Sequence, residues 1–198
     1  MYAPFAAALV LAAAVSAVPT KRTVSCTNPG MIANIDRFTL TAFTTDGNGT
    51  VTAQYPLSVS PYNYLAVTST LEGGYPVDNF ALQNSSLAVW AAGFEYTYSY
   101  SEDITGPSSF LPFEPSFSAW PNGGIYCAQA STSPHGTGLP YSVFLALGSL
   151  TDAFSLCHTT TDSVQYVVYD LQQDSIGQSE NLDYGSCFGV TIGLTELP

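Results

Sequence analysis

The sequence predicts an all-β domain built as an antiparallel two-sheet β-sandwich, with a jelly-roll arrangement as one variant of it. Apolar and polar residues alternate with period two in about ten short segments that turn residues separate. Tyr, Thr and Ser are abundant and basic residues are nearly absent, which is typical of strands rather than helices. Long capped helical patterns are lacking, so a β-sandwich is the expected architecture.

The C-terminal unit shows this alternation most clearly. Phe154 and Leu156 share one face of a strand, with Ser155 and Cys157 on the other face. In the last strand the large apolar residues again point one way and a cysteine the other: Phe188, Val190, Ile192 and Leu194 against Cys187, Gly189, Thr191 and Gly193. Between them, residues 164–169 are apolar on both faces, which predicts a buried central strand covered on two sides.

The upstream segments follow the same pattern. A strand over residues 37–43 leads into Asp46-Gly47-Asn48-Gly49, a strong hairpin signal, and a second strand over 50–55. Further strands are expected at residues 64–70, 87–92, 94–100 and 125–130, with an irregular proline-rich segment at 101–124, a loop at 131–140 and an apolar, ambiguous segment at 142–147.

The N-terminus predicts a targeting segment. Residues 1–17 form a signal peptide, with an apolar run that ends in Val15-Ser16-Ala17, the small residues that signal peptidase cleaves after. Residues 18–22 are predicted to form a short propeptide that ends in the dibasic pair Lys21-Arg22. The mature protein, residues 23–198, is then one domain, secreted and extracellular.

Charge excludes several partners. Only 9% of the residues are charged, and the formal charge is −12. Removal of Lys21 and Arg22 leaves Arg37 as the one basic residue against fifteen acidic ones, a charge of −14. Such a surface repels nucleic acid and anionic membranes, and the apolar N-terminal run is too short to span a bilayer.

The four cysteines predict two disulfides, because the compartment is oxidising. Spacing alone does not select among the three pairings. Side-chain direction favours Cys157–Cys187, since both point away from the main apolar faces of their strands. Cys26 and Cys127 then form the second pair.

Two kinds of surface site are predicted. Asn48-Gly49-Thr50 and Asn84-Ser85-Ser86 both fit the N-glycosylation pattern. Trp90 and Trp120 are candidate aromatics for stacking on a ligand. The aromatic face of the strand at residues 94–100 is instead interpreted as facing the core.

Neither a catalytic residue, a cofactor site nor a metal site is predicted. Gly185-Ser186-Cys187-Phe188-Gly189 matches a nucleophile elbow, but β-forming residues follow it and a cystine is not a nucleophile. His135 and His158 are not interpreted as metal ligands, because the four cysteines are expected to form two disulfides. The remaining alternative is a pair of carboxylates, drawn from Glu95, Glu102, Asp103 and Glu114.

Five segments resemble small secreted β-rich proteins of mushroom-forming fungi: residues 124–127, 133–136, 154–157, 166–169 and 187–191. The resemblance covers mainly the C-terminal third. It implies secretion and a β-domain held by cystines, and it implies neither an activity nor catalytic residues.

The sequence therefore favours a non-catalytic extracellular protein whose partner is cell-wall polysaccharide or matrix. A carbohydrate-binding module or lectin is the first alternative. An acidic glycoside hydrolase with paired carboxylates is the second.

Overall fold

A computed structural model describes residues 26, 30–71, 78–89, 97–99, 109–111, 113–115, 126–131, 141–171 and 181–198. Over these residues the chain forms fourteen β-strands and two 3-10 turns, so the predicted all-β class is confirmed. The strands are β1 Met31–Ile32, β2 Ile35–Thr45, β3 Val51–Val59, β4 Leu65–Val67, β5 Phe80–Gln83, β6 Ser86–Val89, β7 Thr97–Ser99, β8 Ser109–Phe110, β9 Glu114–Pro115, β10 Tyr126–Ala130, β11 Val143–Leu147, β12 Phe154–His158, β13 Gln165–Tyr169 and β14 Phe188–Glu196. The predicted signal peptide and propeptide lie outside the described residues.

The two helical segments are single 3-10 turns, at Thr68–Thr70 and Tyr184–Ser186. Within the described ranges, no helix has the length and apolar character needed to cross a membrane.

The hairpin between β2 and β3 forms where the sequence predicts it. Asp46 holds the turn through its Oδ1 atom, which accepts hydrogen bonds from the backbone N–H of Asn48 at 2.9 Å and of Thr50 at 2.8 Å. Gly49 has φ +81°, a conformation that favours glycine. Aspartate and glycine therefore each supply what the turn requires.

A second hairpin, β5–β6, was not predicted. Asn84 and Ser85 form its two-residue loop with φ 49° and 64°, and Gln83 pairs with Ser86 across it. Positive φ at both loop residues matches the twist of the flanking strands. Asn84-Ser85 is a weaker signal for a two-residue hairpin loop than Asn-Gly is. In the sequence, these residues stand out instead as part of an N-glycosylation pattern.

The strands close into a barrel of six. Its cyclic order is β14–β12–β13–β4–β3–β2, and β2 pairs back onto β14 over six residue pairs, from Thr191 with Phe43 to Glu196 with Phe38. The two-sheet β-sandwich predicted above is thereby corrected in part, because the hydrogen bonding runs continuously around the ring. Period-two patterns specify which face of a strand is buried but not which strand lies beside it.

The long strands β2 and β14 also extend past the barrel. Beyond its contact with β12, β14 pairs with β11 through Gly193 and Phe144, and the start of β2 pairs with β5 through Ile35 and Leu82. The remaining strands continue outward from there, as β11–β10–β1 on one side and β5–β6–β7–β9 on the other. Each of these two strands thus takes part in the barrel and in an extension of the sheet, because different stretches of it pair with different strands.

One hydrophobic core fills the interior. The inner faces supply its members in the predicted parity, including Phe154 and Leu156 of β12 and Val190, Ile192 and Leu194 of β14. Phe38, Phe80 and Phe113 are among its fully buried aromatic side chains. The predicted core positions of the C-terminal unit are therefore confirmed.

The strand β13 is buried on both sides, as its sequence predicts. Val167 belongs to the interior core, whereas Tyr166 and Val168 belong to two smaller clusters on the outer side. Phe110 of β8 packs against both outer clusters, because β8 pairs with β13 at Val168.

Both predicted disulfides are confirmed. Cys157 and Cys187 join across the outer side of β12, with Cα atoms 4.2 Å apart, in a cluster with Val168 and Leu182. Cys26 and Cys127 join the segment that precedes β1 to β10 across a sequence separation of 101. Chain-entropy bookkeeping assigns about 3.6 and about 4.7 kcal/mol to loops of these lengths.

Candidate functional site: a tyrosine cluster on the outer face

Aromatic rings gather on the outer side of the barrel where β13 lies beside β4. Phe110 and Tyr166 have ring centroids 5.3 Å apart, Tyr64 and Phe110 are 5.4 Å apart, and Tyr64 meets Tyr166 edge-on at 6.1 Å. Tyr166 is buried, while Tyr64 and Phe110 are half-buried. With the neighbouring Tyr62, these residues are called the tyrosine cluster below.

A tight loop, Ser60 to Tyr64, presents Tyr62 to solvent. The Ser60 N–H donates to the Tyr64 carbonyl at 2.8 Å, and the Ser60 Oγ accepts from the Tyr64 N–H at 3.2 Å. Asn63 takes a left-handed conformation with φ 63°, and its carbonyl accepts from the Phe113 N–H at 2.7 Å. The loop is therefore held by backbone hydrogen bonds, by the Ser60 side chain and by Phe113, and it leaves the Tyr62 side chain 69% exposed.

Asp162 adds a carboxylate beside these rings. Its Oδ2 accepts from the Tyr166 hydroxyl at 3.1 Å, and its Oδ1 accepts from the Thr159 hydroxyl at 2.9 Å and the Val164 N–H at 3.0 Å. The Asp162 N–H in turn donates to Thr159 Oγ1. Neutral donors alone thus orient an exposed carboxylate at a defined position.

The pKa of Tyr166 reflects the electrostatics of the cluster. Burial of the phenol, together with the charge of Asp162 and the hydrogen bond to it, raises the pKa of Tyr166 well above its ordinary value. The phenol groups of Tyr62 and Tyr64 raise this pKa further. The site therefore combines ring faces, hydroxyls and one carboxylate.

A second group of rings lies on the outer face of β2 and β14 and is called the closed cluster. Tyr141 stacks on Phe43 with centroids 5.1 Å apart, and Phe43 meets Phe144 at 6.1 Å. Tyr141 also lies over Gly193, where an added Cβ would overlap its ring. Its hydroxyl donates to Gln54 Oε1 at 3.4 Å, so the ring bridges three strands.

One shallow cavity of about 300 Å³ lies near the ends of β2 and β14. Ile35, Val143 and Leu194 form its apolar side, and Ser142, Thr195 and Glu196 its polar side. Glu196 supplies the carboxylate of this lining, and a single carboxylate without a second acid or a base does not make a hydrolytic site.

Most of the aromatic and acidic residues singled out from the sequence are not among the residues that the structure describes. Trp90, Trp120, Glu95, Glu102, Asp103 and His135 lie outside the described residues. Glu114 lies in β9, where the backbone alone is described. Cys187 is in a disulfide, so the nucleophile-elbow pattern has no thiol in this state. The described part of the chain contains no group of three or more His, Cys, Asp and Glu arranged to bind a metal.

Both predicted glycosylation acceptors lie at hairpin tips. Asn48 occupies the β2–β3 turn and Asn84 the β5–β6 turn, and both are exposed. The Asn84 N–H donates to Asn34 Oδ1 at 2.9 Å, and this hydrogen bond holds the backbone from which the Asn84 side chain extends.

Sequence reasoning missed the tyrosine cluster. Pro61-Tyr62-Asn63-Tyr64 does carry a turn signal, with aromatics in a segment that a turn exposes. Its partners Asp162 and Tyr166 lie far away along the chain, and only the pairing of Ala66 with Tyr166 brings them together.

Comparison with known proteins found no matching family model, no matching curated protein and no matching solved structure.

Proposed function

We propose that this protein is a non-catalytic extracellular domain that binds carbohydrate of a cell wall or matrix through the tyrosine cluster. The observation that carries the proposal is the Tyr62 ring, which is 69% exposed on a hydrogen-bonded loop. It lies two residues before Tyr64, whose ring meets Tyr166, the hydrogen-bond partner of Asp162. An aromatic ring this exposed contributes little to folding, so its surface is available for a ligand.

The chemistry of the cluster suits a sugar. A pyranose ring has an apolar face of C–H groups, which packs on an aromatic ring, and a rim of hydroxyls, which need hydrogen-bond partners. Tyr62 offers the ring face, and the Asp162 carboxylate and nearby phenols offer the partners. Because the loop is held before binding, little conformational entropy is lost when the ligand binds.

The arrangement of the carboxylates at the cluster fits a binding role better than a hydrolytic one. Glycoside hydrolysis uses two carboxyl groups about 5–9.5 Å apart. In the described residues, Asp162 is the one carboxylate among the hydrogen-bond partners of the cluster, and its Oδ1 is occupied by local backbone and hydroxyl donors.

An extracellular location fits the two disulfides, since such bonds persist in oxidising compartments. The N-terminal pattern and the resemblance to secreted fungal proteins support it further. N-terminal sequencing of protein from culture medium should begin at Val18 or Thr23, and peptide mapping should find N-glycans on Asn48 and Asn84. Recovery of an intact Met1 to Ala17 segment would contradict secretion by this route.

The binding proposal is tested by pull-down on insoluble wall polysaccharides, with cellulose, chitin and β-1,3-glucan assayed separately. Wild-type protein should bind at least one of them, and Tyr62→Ala should weaken binding about tenfold. Losing roughly 60 Å² of apolar contact costs about 1.5 kcal/mol, which corresponds to that factor.

Two controls make this test specific. Tyr62→Phe keeps the ring and should retain most of the binding, and Leu150→Ala removes an apolar side chain that is 38% exposed elsewhere and should change nothing. Retained binding by Tyr62→Ala would contradict the site, and release of soluble sugar by wild type would contradict a non-catalytic role.

A further inference from the structure

Asp162 has acceptor capacity that its internal hydrogen bonds do not use. A carboxylate has about four lone-pair sites. Two donors, Thr159 Oγ1 and the Val164 N–H, occupy Oδ1, whereas Oδ2 accepts from the Tyr166 hydroxyl alone. Since the residue is exposed, an external donor can reach Oδ2.

Every one of these internal donors is uncharged. A hydroxyl, a phenol and a backbone N–H orient the carboxylate and leave its charge uncompensated, in contrast to a bound arginine or lysine. The donors therefore hold Asp162 ready for a cation.

The charge of the whole chain acts in the same direction. Fifteen acidic residues face three basic ones, and two of those, Lys21 and Arg22, belong to the predicted propeptide. The resulting potential concentrates cations near the surface and repels uronic acids and sulfated sugars.

The rings add a third attraction. The face of an aromatic ring attracts an ammonium group within about 6 Å of its centroid. The Tyr64 ring meets the Tyr166 ring, and the Tyr166 hydroxyl donates to the Asp162 carboxylate. Tyr62 lies two residues from Tyr64 and is 69% exposed. A ligand that presents both a pyranose face and a protonated amine would use the ring and the carboxylate together.

We infer that the preferred ligand of the tyrosine cluster is an amino-sugar polymer with free, protonated amines, which Tyr62 binds by stacking and Asp162 by a charge-assisted hydrogen bond. This inference rests on the proposed function, carbohydrate binding at this cluster, and names the class of carbohydrate. A neutral or N-acetylated glycan would keep the stacking and lose the charge contribution, and an anionic glycan would be repelled.

The test is calorimetric titration at pH 6 with three hexamers: β-1,4-linked glucosamine, β-1,4-linked N-acetylglucosamine and galacturonate. The glucosamine hexamer should bind about tenfold or more tightly than the acetylated one, and galacturonate should not bind. The preference for glucosamine should shrink as salt is added.

Asp162→Asn is compared with Asp152→Asn, since both remove one negative charge from exposed positions. Asp162→Asn should abolish most of the preference for glucosamine and retain binding of the acetylated hexamer, whereas Asp152→Asn should behave as wild type. Tyr62→Ala, at a residue with little role in folding, should weaken both hexamers and serves as the second variant if Asp162→Asn folds poorly.

The outcomes separate the two levels of the proposal. Equal binding of both hexamers, lost in Tyr62→Ala, would overturn the inference and leave carbohydrate binding intact. Absence of binding to all glycans would overturn both. Glucosamine binding that salt weakens and neither variant changes would overturn the inference as well, since it would show attraction to the overall charge rather than to this site.

Discussion

The closed cluster (Phe43, Tyr141 and Phe144) and the tyrosine cluster both lie on the outer side of the sheet. They differ in how far their outermost ring is exposed to solvent. In the closed cluster the outermost ring, Tyr141, covers Gly193 and donates its hydroxyl to Gln54 across the sheet. Phe43 beneath it is only 2% exposed. In the tyrosine cluster the outermost ring, Tyr62, extends from a loop and stays 69% exposed.

The difference separates two uses of aromatic residues outside a core. A ring that contacts backbone on one side and another ring on the other stabilises the fold, because its apolar area is removed from water. A ring that is exposed on a rigid loop, above buried rings and a carboxylate, contributes little to stability and suits binding. Substitutions in the two clusters should therefore separate stability from binding.

The largest effects on stability are expected from the two disulfides, of which Cys157–Cys187 is the one near the tyrosine cluster. Replacing Cys157 and Cys187 by Ala should lower the free energy of unfolding by about 3.6 kcal/mol, because the cystine closes a loop with a sequence separation of 30. Phe110 packs against Tyr166 and against the cluster that contains Cys157, so near-ultraviolet circular dichroism of the tyrosines should change as well. Urea unfolding measures the loss.

The Cys26–Cys127 pair provides the comparison for that measurement. Its sequence separation of 101 predicts a loss of about 4.7 kcal/mol in the free energy of unfolding. The change in tyrosine circular dichroism that arises through Phe110 is not expected for this pair. A loss below about 1 kcal/mol at either pair would contradict the chain-entropy explanation.

The next effect tests the closed cluster. Gly193→Ala should lower the free energy of unfolding by about 1–3 kcal/mol, because the new Cβ overlaps the Tyr141 ring and must displace it. Gly189→Ala is the matched control on the same face of β14, where an added Cβ meets nothing within 4 Å. Glycan binding should be unchanged in both variants. Equal melting temperatures for the two would mean that Tyr141 does not cover Gly193.

A smaller effect concerns the titration of Tyr166. Its raised pKa means that the folded state keeps a proton that the unfolded state releases above about pH 10. The contribution of Tyr166 to stability is therefore fully present below that pH and is lost as pH rises above it. Absorbance at the phenolate wavelength should show a late-titrating component from Tyr166, and Tyr166→Phe should remove that component.

Asp162→Asn sharpens this measurement. Removing the negative charge and its hydrogen bond should lower the pKa of Tyr166, but burial, the first cause of the shift, keeps it above the ordinary tyrosine value. The lost hydrogen bond should cost about 1 kcal/mol of stability. An unchanged late titration in Asp162→Asn would show that the carboxylate does not act on the phenol.

The smallest effect on stability, and a large one on binding, is expected at Tyr62. Tyr62→Ala should change the free energy of unfolding by less than about 0.5 kcal/mol, as at other exposed positions. Tyr141→Ala removes a ring that is half-buried and stacked, and should cost more. If Tyr62→Ala were the more destabilising of the two, the distinction between the clusters would fail.

Several local features followed from the sequence. The apolar residues of 164–169 predicted a strand buried on both faces, and β13 packs inward through Val167 and outward through Tyr166. The parity of Cys157 and Cys187 predicted their disulfide. Asp46-Gly47-Asn48-Gly49 predicted the β2–β3 hairpin. Each rests on neighbours in the chain or on the alternation of a single strand.

One segment shows the limit of local patterns. Residues 64–70 alternate like one strand, but β4 ends at Val67 and a 3-10 turn follows. Thr70 Oγ1 donates to the Val67 carbonyl and accepts from the Gln165 N–H of β13. The end of β4 therefore coincides with a contact to a distant strand, and the local sequence pattern gives no sign of that contact.

The sequence by itself determined the secondary-structure class, the inward and outward faces of the strands and the disulfide pairing, because side-chain alternation and turn residues act within a few positions of the chain. The tertiary structure alone decided that β14 pairs with β2 to close the barrel, and that Tyr64 meets Tyr166, the hydrogen-bond partner of Asp162. Backbone hydrogen bonds between strands do not depend on side-chain identity, so an alternating pattern is compatible with many neighbours. The choice among them comes from packing one common core, to which strands from the whole chain contribute together.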